Sequence, residues 1–364
     1  MLFLAYFILV FHGVQFIVAL LNVIFIQKLQ RKPENSGELV SVLIPARNEE
    51  KNIGTLLNDL LKQSFQNIEI IVFNDQSVDA TERIVDEYAQ KEKRIKLVNS
   101  GGLPSGWLGK NHACHSLSKM AKGDYFLFLD ADVRIYKDII LQTLSYAKKH
   151  KLGLLSVFPR QIMKTLGEKL TVPVMNYILL TLLPLFLVRK SEHPSLSAAN
   201  GQFMLFEAES YKKLLPHEKM KNTPVEDIAI SRFYKQNNMK IACMSGIKDI
   251  ACRMYHGCND ALYGFSKNVR AFFGNSFIAA LLFWLITTFG FIPVWFFLPF
   301  ELFTAYLIGF VLIRIFVSYT SRQNIFENII LLIPQQFALG IILFRTIINR
   351  RKNKLIWKGR NIIR

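Results

Sequence analysis

The feature that most constrains this chain is its first stretch. Leu2 to Ile26 is a nearly unbroken apolar run, and a helix needs about 20 such residues to cross a bilayer. No basic n-region precedes it and no A-x-A pattern follows it, so an uncleaved anchor is expected rather than a signal peptide. Lys28, Arg31 and Lys32 come next. By the positive-inside rule they place the following residues in the cytoplasm.

The far end is apolar too. Phe277–Leu298 and Leu302–Tyr319 read as a hairpin of two spans. Ile329–Ile348 contains Pro334, Gln335 and Gln336, so it is expected to be interfacial or re-entrant, the alternative being a third C-terminal span with the tail outside. The tail 349–364 is strongly basic without a single acid and should face the cytoplasm. The chain thus divides into an anchor (1–27), a cytoplasmic domain (38–275), C-terminal membrane helices (276–348) and a basic cytoplasmic tail (349–364). The membrane in question is the cell (inner) membrane, crossed more than once.

Composition decides which anionic partner suits the charge. Lys and Arg outnumber Asp and Glu by 45 to 27, a net +18, yet 51% of residues are hydrophobic and 30 are Phe. A membrane surface or phosphorylated substrate fits this better than nucleic acid, which favours basic helices interleaved with polar loops. The four cysteines form no CxxC pair, which suits a reducing compartment. The apolar blocks hold few ionisable residues, chiefly Arg314, which argues against a transporter or channel.

Between the apolar ends, short branched and aromatic segments (39–45, 68–73, 95–98, 125–130, 152–158) alternate with helical patterns near 49–63, 79–92, 110–122 and 137–149. This predicts an α/β domain with a mostly parallel sheet covered by helices. Such sheets bind ligands at the carboxyl ends of their strands. The run 170–188 carries Pro173 and Pro184 and reads either as a membrane-facing segment walling a lipid groove or as a buried core helix.

Polar residues gather at the predicted strand ends. YFLFLDADVRI (125–135) ends in Asp130 and Asp132. Carboxylates at i and i+2 can share one Mg²⁺ or Mn²⁺ that bridges to phosphate oxygens; alone, the pair also suits a solvated turn. PARNEE (45–50) follows the first strand and supplies Pro45, Arg47 and Glu49. NDQSVDAT (74–81) follows the second, with Asp75 placed to meet a base or ribose. Ser77 or Asp79 suits a helix cap. In PVEDIAI (224–230), Glu226 or Asp227 suits a general base, or equally a helix start. His112, Cys114 and His115 lack the spacing of a structural zinc site.

The ordered set PARNEE, NDQSVDAT, DAD and ED resembles the family-two glycosyltransferases of GT-A (Rossmann-like) fold over residues 39–270. The resemblance implies that Asp75 contacts a nucleotide base. It implies that Asp130 and Asp132 hold nucleotide-sugar phosphates through a divalent cation, and that Asp227 is the catalytic base. Asn74 stands where an Asp is common. SGWLGKNHAC (105–114), GLLSVFPRQ (153–161), CRMYHGCNDAL (252–262) and IWKGR (356–360) are similar to membrane-bound transferases that glycosylate apolar lipids. Those most alike are the diaponeurosporenoate glycosyltransferases of carotenoid pathways; hopanoid- and ceramide-type enzymes share the layout. Lys110 then suits phosphate and Trp107 a sugar or ring. YGFSKNVRAFFG (263–274) lies where processive synthases carry Q-x-x-R-W, and keeps only Arg270 of it. Arg270 suits the leaving diphosphate, or a basic surface helix.

The expected reaction is inverting transfer of one hexose, glucose in the first instance, from a UDP-sugar to a membrane lipid. A processive polysaccharide synthase and a non-catalytic scaffold are the alternatives. A carotenoid acid is ionised at neutral pH, since carboxyl groups titrate near pH ~4, and needs no base. A hydroxyl acceptor does.

Overall fold

The computed structural model describes residues 1–30, 37–351, 356–357 and 360–361. Arg31, Lys32 and most of the basic tail lie outside the described residues.

One eight-stranded sheet organises the domain, in the order β3-β2-β1-β4-β7-β6-β8-β5. Its strands are β1 (Val40–Ala46), β2 (Ile68–Asn74), β3 (Ile95–Asn99), β4 (Tyr125–Leu129), β5 (Val133–Ile135), β6 (Leu154–Gln161), β7 (Phe203–Glu207) and β8 (Ile241–Cys252). The first four run parallel. β7 is antiparallel to both β4 and β6, β6 is parallel to β8, and β5 is antiparallel to β8. The helices Ile53–Leu61, Thr81–Lys91, Gly109–Met120 and Ile139–His150 fall where the pattern placed them. β5, β7 and β8 were not among the expected strands. A further two-residue pair, Ile356–Trp357 with Arg360–Asn361, is antiparallel.

Strand periodicity sends alternate residues to opposite faces. On one face Val42, Ile44, Ile70, Val72 and Leu127 pack beneath Leu56, Leu60, Ile140 and Leu144. On the other, Leu43, Ile71, Phe126 and Phe128 belong to a core that continues through Tyr177, Ile178 and Leu180 to Ile313, Val317, Leu339 and Leu343. This second core and the apolar C-terminal helices are thus one hydrophobic body. Each buried Leu or Ile in it contributes about 1.5–3 kcal/mol of transfer free energy.

Among the described residues, three helices are long and apolar enough to cross a membrane: Leu2–Ile24, Phe300–Ser321 and Leu332–Asn349. The predicted span 277–298 is instead two helices, Phe277–Phe289 and Phe291–Phe297, broken at Gly290. Most of the segment 329–348 lies in one continuous helix, Leu332–Arg351, so its proline and glutamines do not break it. Pro334 falls in its first turn, where a missing N–H costs little. Gln335 and Gln336 are buried against protein, and Gln335 donates to Lys169 O and Asn328 Oδ1, both at 2.9 Å. A polar residue satisfied this way does not interrupt a membrane helix.

Of the two readings of 170–188, the structure shows the buried one. Residues Pro173 to Thr181 are all buried. Gln15 donates to Thr181 at 3.3 Å, and the Arg314 guanidinium lies 3.8 Å from the Tyr177 ring centroid. The run is covered by the N-terminal and Phe300–Ser321 helices, so it faces protein where a membrane-facing wall was expected. Asn22 explains its break: its amide donates to the Leu180 and Leu183 carbonyls and accepts from Leu185 N–H, spanning Pro184.

Candidate active site

The carboxyl ends of β1, β2 and β4 and the start of the Glu226–Gln236 helix meet at one edge of the sheet. Asp130 and Asp132 lie in the turn between β4 and β5. The Asp130 N–H donates to Gln202 O at 3.2 Å, and its carbonyl accepts from Val133 N–H at 3.1 Å. The turn is therefore pinned by backbone alone, which leaves both carboxyl groups to the site.

Lys110 joins the predicted residues into one cluster. It sits in the first turn of the Gly109–Met120 helix. Its ammonium lies 2.8 Å from Asp130 Oδ1, 3.0 Å from Asp130 Oδ2 and 3.4 Å from Glu226 Oε1. It also donates to Gly201 O at 3.4 Å. Burial works against its charge, but Asp130 and then Glu226 outweigh it and push its pKa well up.

Asp227 and Asp132 flank this centre. Asp227 Oδ2 accepts from Gly201 N–H at 2.9 Å. Burial, then the charge of Glu226, pushes its carboxyl up to about 7. The Asp132 carboxyl is likewise pushed up to about 7, by burial and then by Asp130. Asp132 Oδ1 is buried with no partner among the described residues. On its far side the Cys252 thiol is a hydrogen-bond neighbour, itself receiving Gln202 Nε2–H at 2.8 Å.

These donors fit a hard divalent cation. Asp132 offers a buried, unpartnered anionic oxygen, and Asp130 stands two residues away in the same turn. Among the described residues no group of three or more His, Cys, Asp or Glu is placed to hold a metal. A cation here would take its remaining oxygens from a phosphate ligand and water, as Mg²⁺ commonly does.

The loops after β1 and β2 are laced together. Arg47 donates to the carbonyls of Asp75 and Gln76 at 2.5 and 3.1 Å. Glu49 N–H donates to Thr81 Oγ1 at 2.7 Å, and Glu49 Oε2 accepts from Asn52 at 2.8 Å. Asp79 receives Thr81 N–H and Glu50 N–H, at 3.0 and 3.1 Å. Asp75 is 3% exposed directly beyond β2, its N–H bonded to Ala46 O. Pro45 lies inside β1, which runs one residue further. It needs no N–H toward β4, because that pairing ends at Leu43. Asn74 donates to Glu82 and to Asn99 and accepts from Ser77 N–H. An Asp there would set two carboxylates against each other, which accounts for the departure from the usual residue.

Two further predicted residues have the following contacts. Trp107 packs on His115, ring centroids 5.0 Å apart, and edge-on to His112 at 5.7 Å. Arg270 bonds the Asn275 carbonyl of its own turn, at 3.0 Å through Nε.

Gly201, Gln202, Cys252 and Asn111 escaped sequence reasoning. Ser156 Oγ accepts from Asn200 N–H at 2.7 Å and fixes the turn that carries Gly201. A Cβ on Gly201 would lie 2.9 Å from Lys110 Nζ and 3.3 Å from Glu226 Oε1. Asn111 donates to Met220 O and Thr223 O at 2.6 and 3.1 Å, tying down the segment that leads into Glu226. The Asn-Gly step before an apolar strand marks a turn, but nothing local marks it as part of a site.

A mostly parallel mixed sheet with carboxylates and a lysine at its carboxyl edge defines a class: a glycosyltransferase domain of GT-A type. Residues 41–215 match the family described as "Glycosyl transferase family 2", so this part of the chain is a family 2 glycosyltransferase domain. Similar curated proteins are the 4,4'-diaponeurosporenoate glycosyltransferases of Staphylococcus haemolyticus and Staphylococcus aureus. The first is 26% identical over 249 residues, 66% of this chain and 63% of that protein. The second, from strain USA300, is 28% identical over 256 residues, 68% of this chain and 65% of that protein. The match thus spans slightly less than two thirds of either relative's length. Among solved structures, the mannosyltransferase PcManGT from Pyrobaculum calidifontis, in complex with GDP-Man and Mn2+, shares the fold. Its TM-score is 0.52 at 14% identity, covering 94% of this chain and 99% of that chain.

Proposed function

We propose that this protein is an inverting glycosyltransferase of the cell membrane that moves one hexose from a UDP-sugar to a lipid acceptor on the cytoplasmic side. The observation that carries the reading is the single cluster made by Lys110, Asp130, Glu226, Asp227 and Asp132 at the carboxyl edge of the sheet.

In this reading Asp75 and the laced loops around Arg47 and Glu49 receive the uridine. Asp132 and Asp130 hold a divalent cation, Mg²⁺ or Mn²⁺, which when bound neutralises charge on the departing diphosphate. Lys110 adds a positive charge at the same place. Asp227 takes the proton of an acceptor hydroxyl as that oxygen attacks the face of the sugar opposite the leaving group. Its raised pKa suits a base working near neutrality, and Gly201 N–H aims it. Glu226 keeps Lys110 in place beside it before the donor binds. The apolar helices that share the domain's core bring a water-insoluble acceptor to the site.

The names of the curated relatives support a carotenoid acid as the acceptor; glucose is the sugar to try first. Asp227 favours a hydroxyl. The test is UDP-[¹⁴C]glucose with detergent-purified protein, Mn²⁺ and either a C30 carotenoid acid or a host lipid extract, with the labelled lipid identified by mass. A labelled glycolipid in either arm supports the reading and names the acceptor. Label found only as free glucose or in a growing polymer overturns it.

A further inference from the structure

The centre of the site is held together by a cation that belongs to the chain itself. Four carboxylates (Asp130, Asp132, Glu226 and Asp227) converge on one edge, and the cation among them is the Lys110 ammonium. It sits across both oxygens of Asp130, at 2.8 and 3.0 Å, and reaches Glu226 at 3.4 Å. Asp130 therefore spends both its oxygens on Lys110, while Asp132, two residues on, keeps a buried oxygen with no partner among the described residues. Gly201 leaves the space that this arrangement needs, since its missing Cβ would stand 2.9 Å from Nζ.

We propose that Lys110 is an exchangeable counter-ion. With no nucleotide bound it occupies Asp130 in competition with a divalent cation. When the nucleotide's diphosphate arrives it leaves Asp130 for the phosphate oxygens, so the protein binds cation and nucleotide together better than either alone. This deepens the proposed function and rests on it.

Three properties allow the exchange. An ammonium and a hard cation both seek the same carboxylate lone pairs and repel each other, so they cannot share Asp130. A lysine is a point charge on a stem of four rotatable carbons, and Lys110 stands in the first turn of its helix, so only the stem must move. The helix N-terminus and the Lys110 charge together attract anions, which gives the ammonium a destination at the diphosphate. Glu226 then loses its counter-ion as the donor loads. Lys110 thereby couples donor binding to the charge beside Asp227.

The test is a Mn²⁺ titration of full-length protein in detergent, followed by the EPR signal of free Mn²⁺, without nucleotide and with UDP. Three proteins are compared: wild type, Lys110→Met and Lys110→Arg. Lys110→Met should bind Mn²⁺ about tenfold tighter than wild type without nucleotide, and UDP at least about tenfold more weakly with Mn²⁺ present, a coupling in the usual range. Lys110→Arg, whose guanidinium grips a carboxylate bidentately, should bind Mn²⁺ more weakly than wild type. A merely structural lysine would lower both affinities in Lys110→Met, and that result overturns the proposal. Should Lys110→Met fail to fold, Lys110→Arg binding Mn²⁺ as tightly as wild type overturns it equally. Wild type that binds neither Mn²⁺ nor UDP would defeat the transferase reading itself. Wild type that binds both, with Lys110→Met no tighter for Mn²⁺, defeats this inference alone.

Discussion

The backbone N–H of Gly201 donates to Asp227 Oδ2 at 2.9 Å, so the orientation of one site carboxylate is set by a turn 26 residues earlier in the chain. That turn also supplies the carbonyl that Lys110 touches. One glycine thus couples base and lysine. Gly201→Ala puts a methyl 2.9 Å from Lys110 Nζ and 3.3 Å from Glu226 Oε1. Both are ends of flexible side chains, so the fold should survive while the cluster opens. Transfer should fall about 10²-fold, the scale of an ångström-sized misplacement, with a melting temperature close to wild type. Kinetics and thermal unfolding in the same detergent check this.

Asp227 carries the acceptor question. Burial and Glu226 raise its pKa to about 7, so it loses its proton only as pH rises through that value. With a hydroxyl acceptor, kcat/KM should fall about tenfold for each pH unit below the pKa and level off above it, and Asp227→Asn should cost about 10²–10⁴-fold. With a carboxylate acceptor, already ionised, Asp227→Asn should cost little and should leave the shape of the pH profile as in wild type. The pH–rate profiles of the two proteins with one acceptor decide between these outcomes.

Glu168 predicts how stability responds to acid. It is fully buried and bonded to Arg253 at 2.9 Å, to Lys164 N–H at 2.7 Å and to Thr165. Burial opposes its charge, but these partners outweigh it and hold its pKa down at about 2. A carboxyl with a depressed folded-state pKa stabilises the fold above its unfolded value, near 4.5, and that contribution is lost as pH falls from there toward 2. Glu168→Gln should lower the melting temperature at neutral pH and shrink the difference from wild type as pH drops through this window. Thermal unfolding across that range measures it.

The sheet meets the apolar helix Phe300–Ser321 where Gly246 touches Thr320. Gly246 has φ +69°, and a Cβ there would lie 2.0 Å from the Thr320 carbonyl oxygen. Arg322 Nε bonds Gly246 O at 2.7 Å. Because the opposing atom is backbone, Gly246→Ala cannot be absorbed by a side chain. It should destabilise by at least about 1–3 kcal/mol, the usual scale of left-handed strain, read as a lower melting temperature.

The sequence made the parallel half of the fold legible because β1 to β4 are apolar runs bounded by helices with clear periodicity. β5, β7 and β8 were hidden for separate reasons. β5 is three residues long, β7 is an antiparallel insertion, and β8 bends at Gly246 with the ladder to β6 shifting in register. At the site, Asp130, Asp132, Lys110, Glu226 and Asp227 were readable because charge at a predicted strand or helix end is conspicuous. Gly201 and Gln202 were not, since their role is a backbone position created by long-range packing. That Leu332–Arg351 is one unbroken helix was not legible, because Gln335 looks like an interruption until its partners are seen: Lys169, far off in sequence, and Asn328 in the preceding helix.

The most direct test of the account is UDP release from UDP-glucose by the detergent-purified protein with Mn²⁺, with and without host lipid, wild type beside Asp132→Ala. The account predicts release that lipid stimulates and that both EDTA and Asp132→Ala abolish while the variant stays folded. Undiminished release by Asp132→Ala would contradict the assignment of the cluster as the catalytic centre.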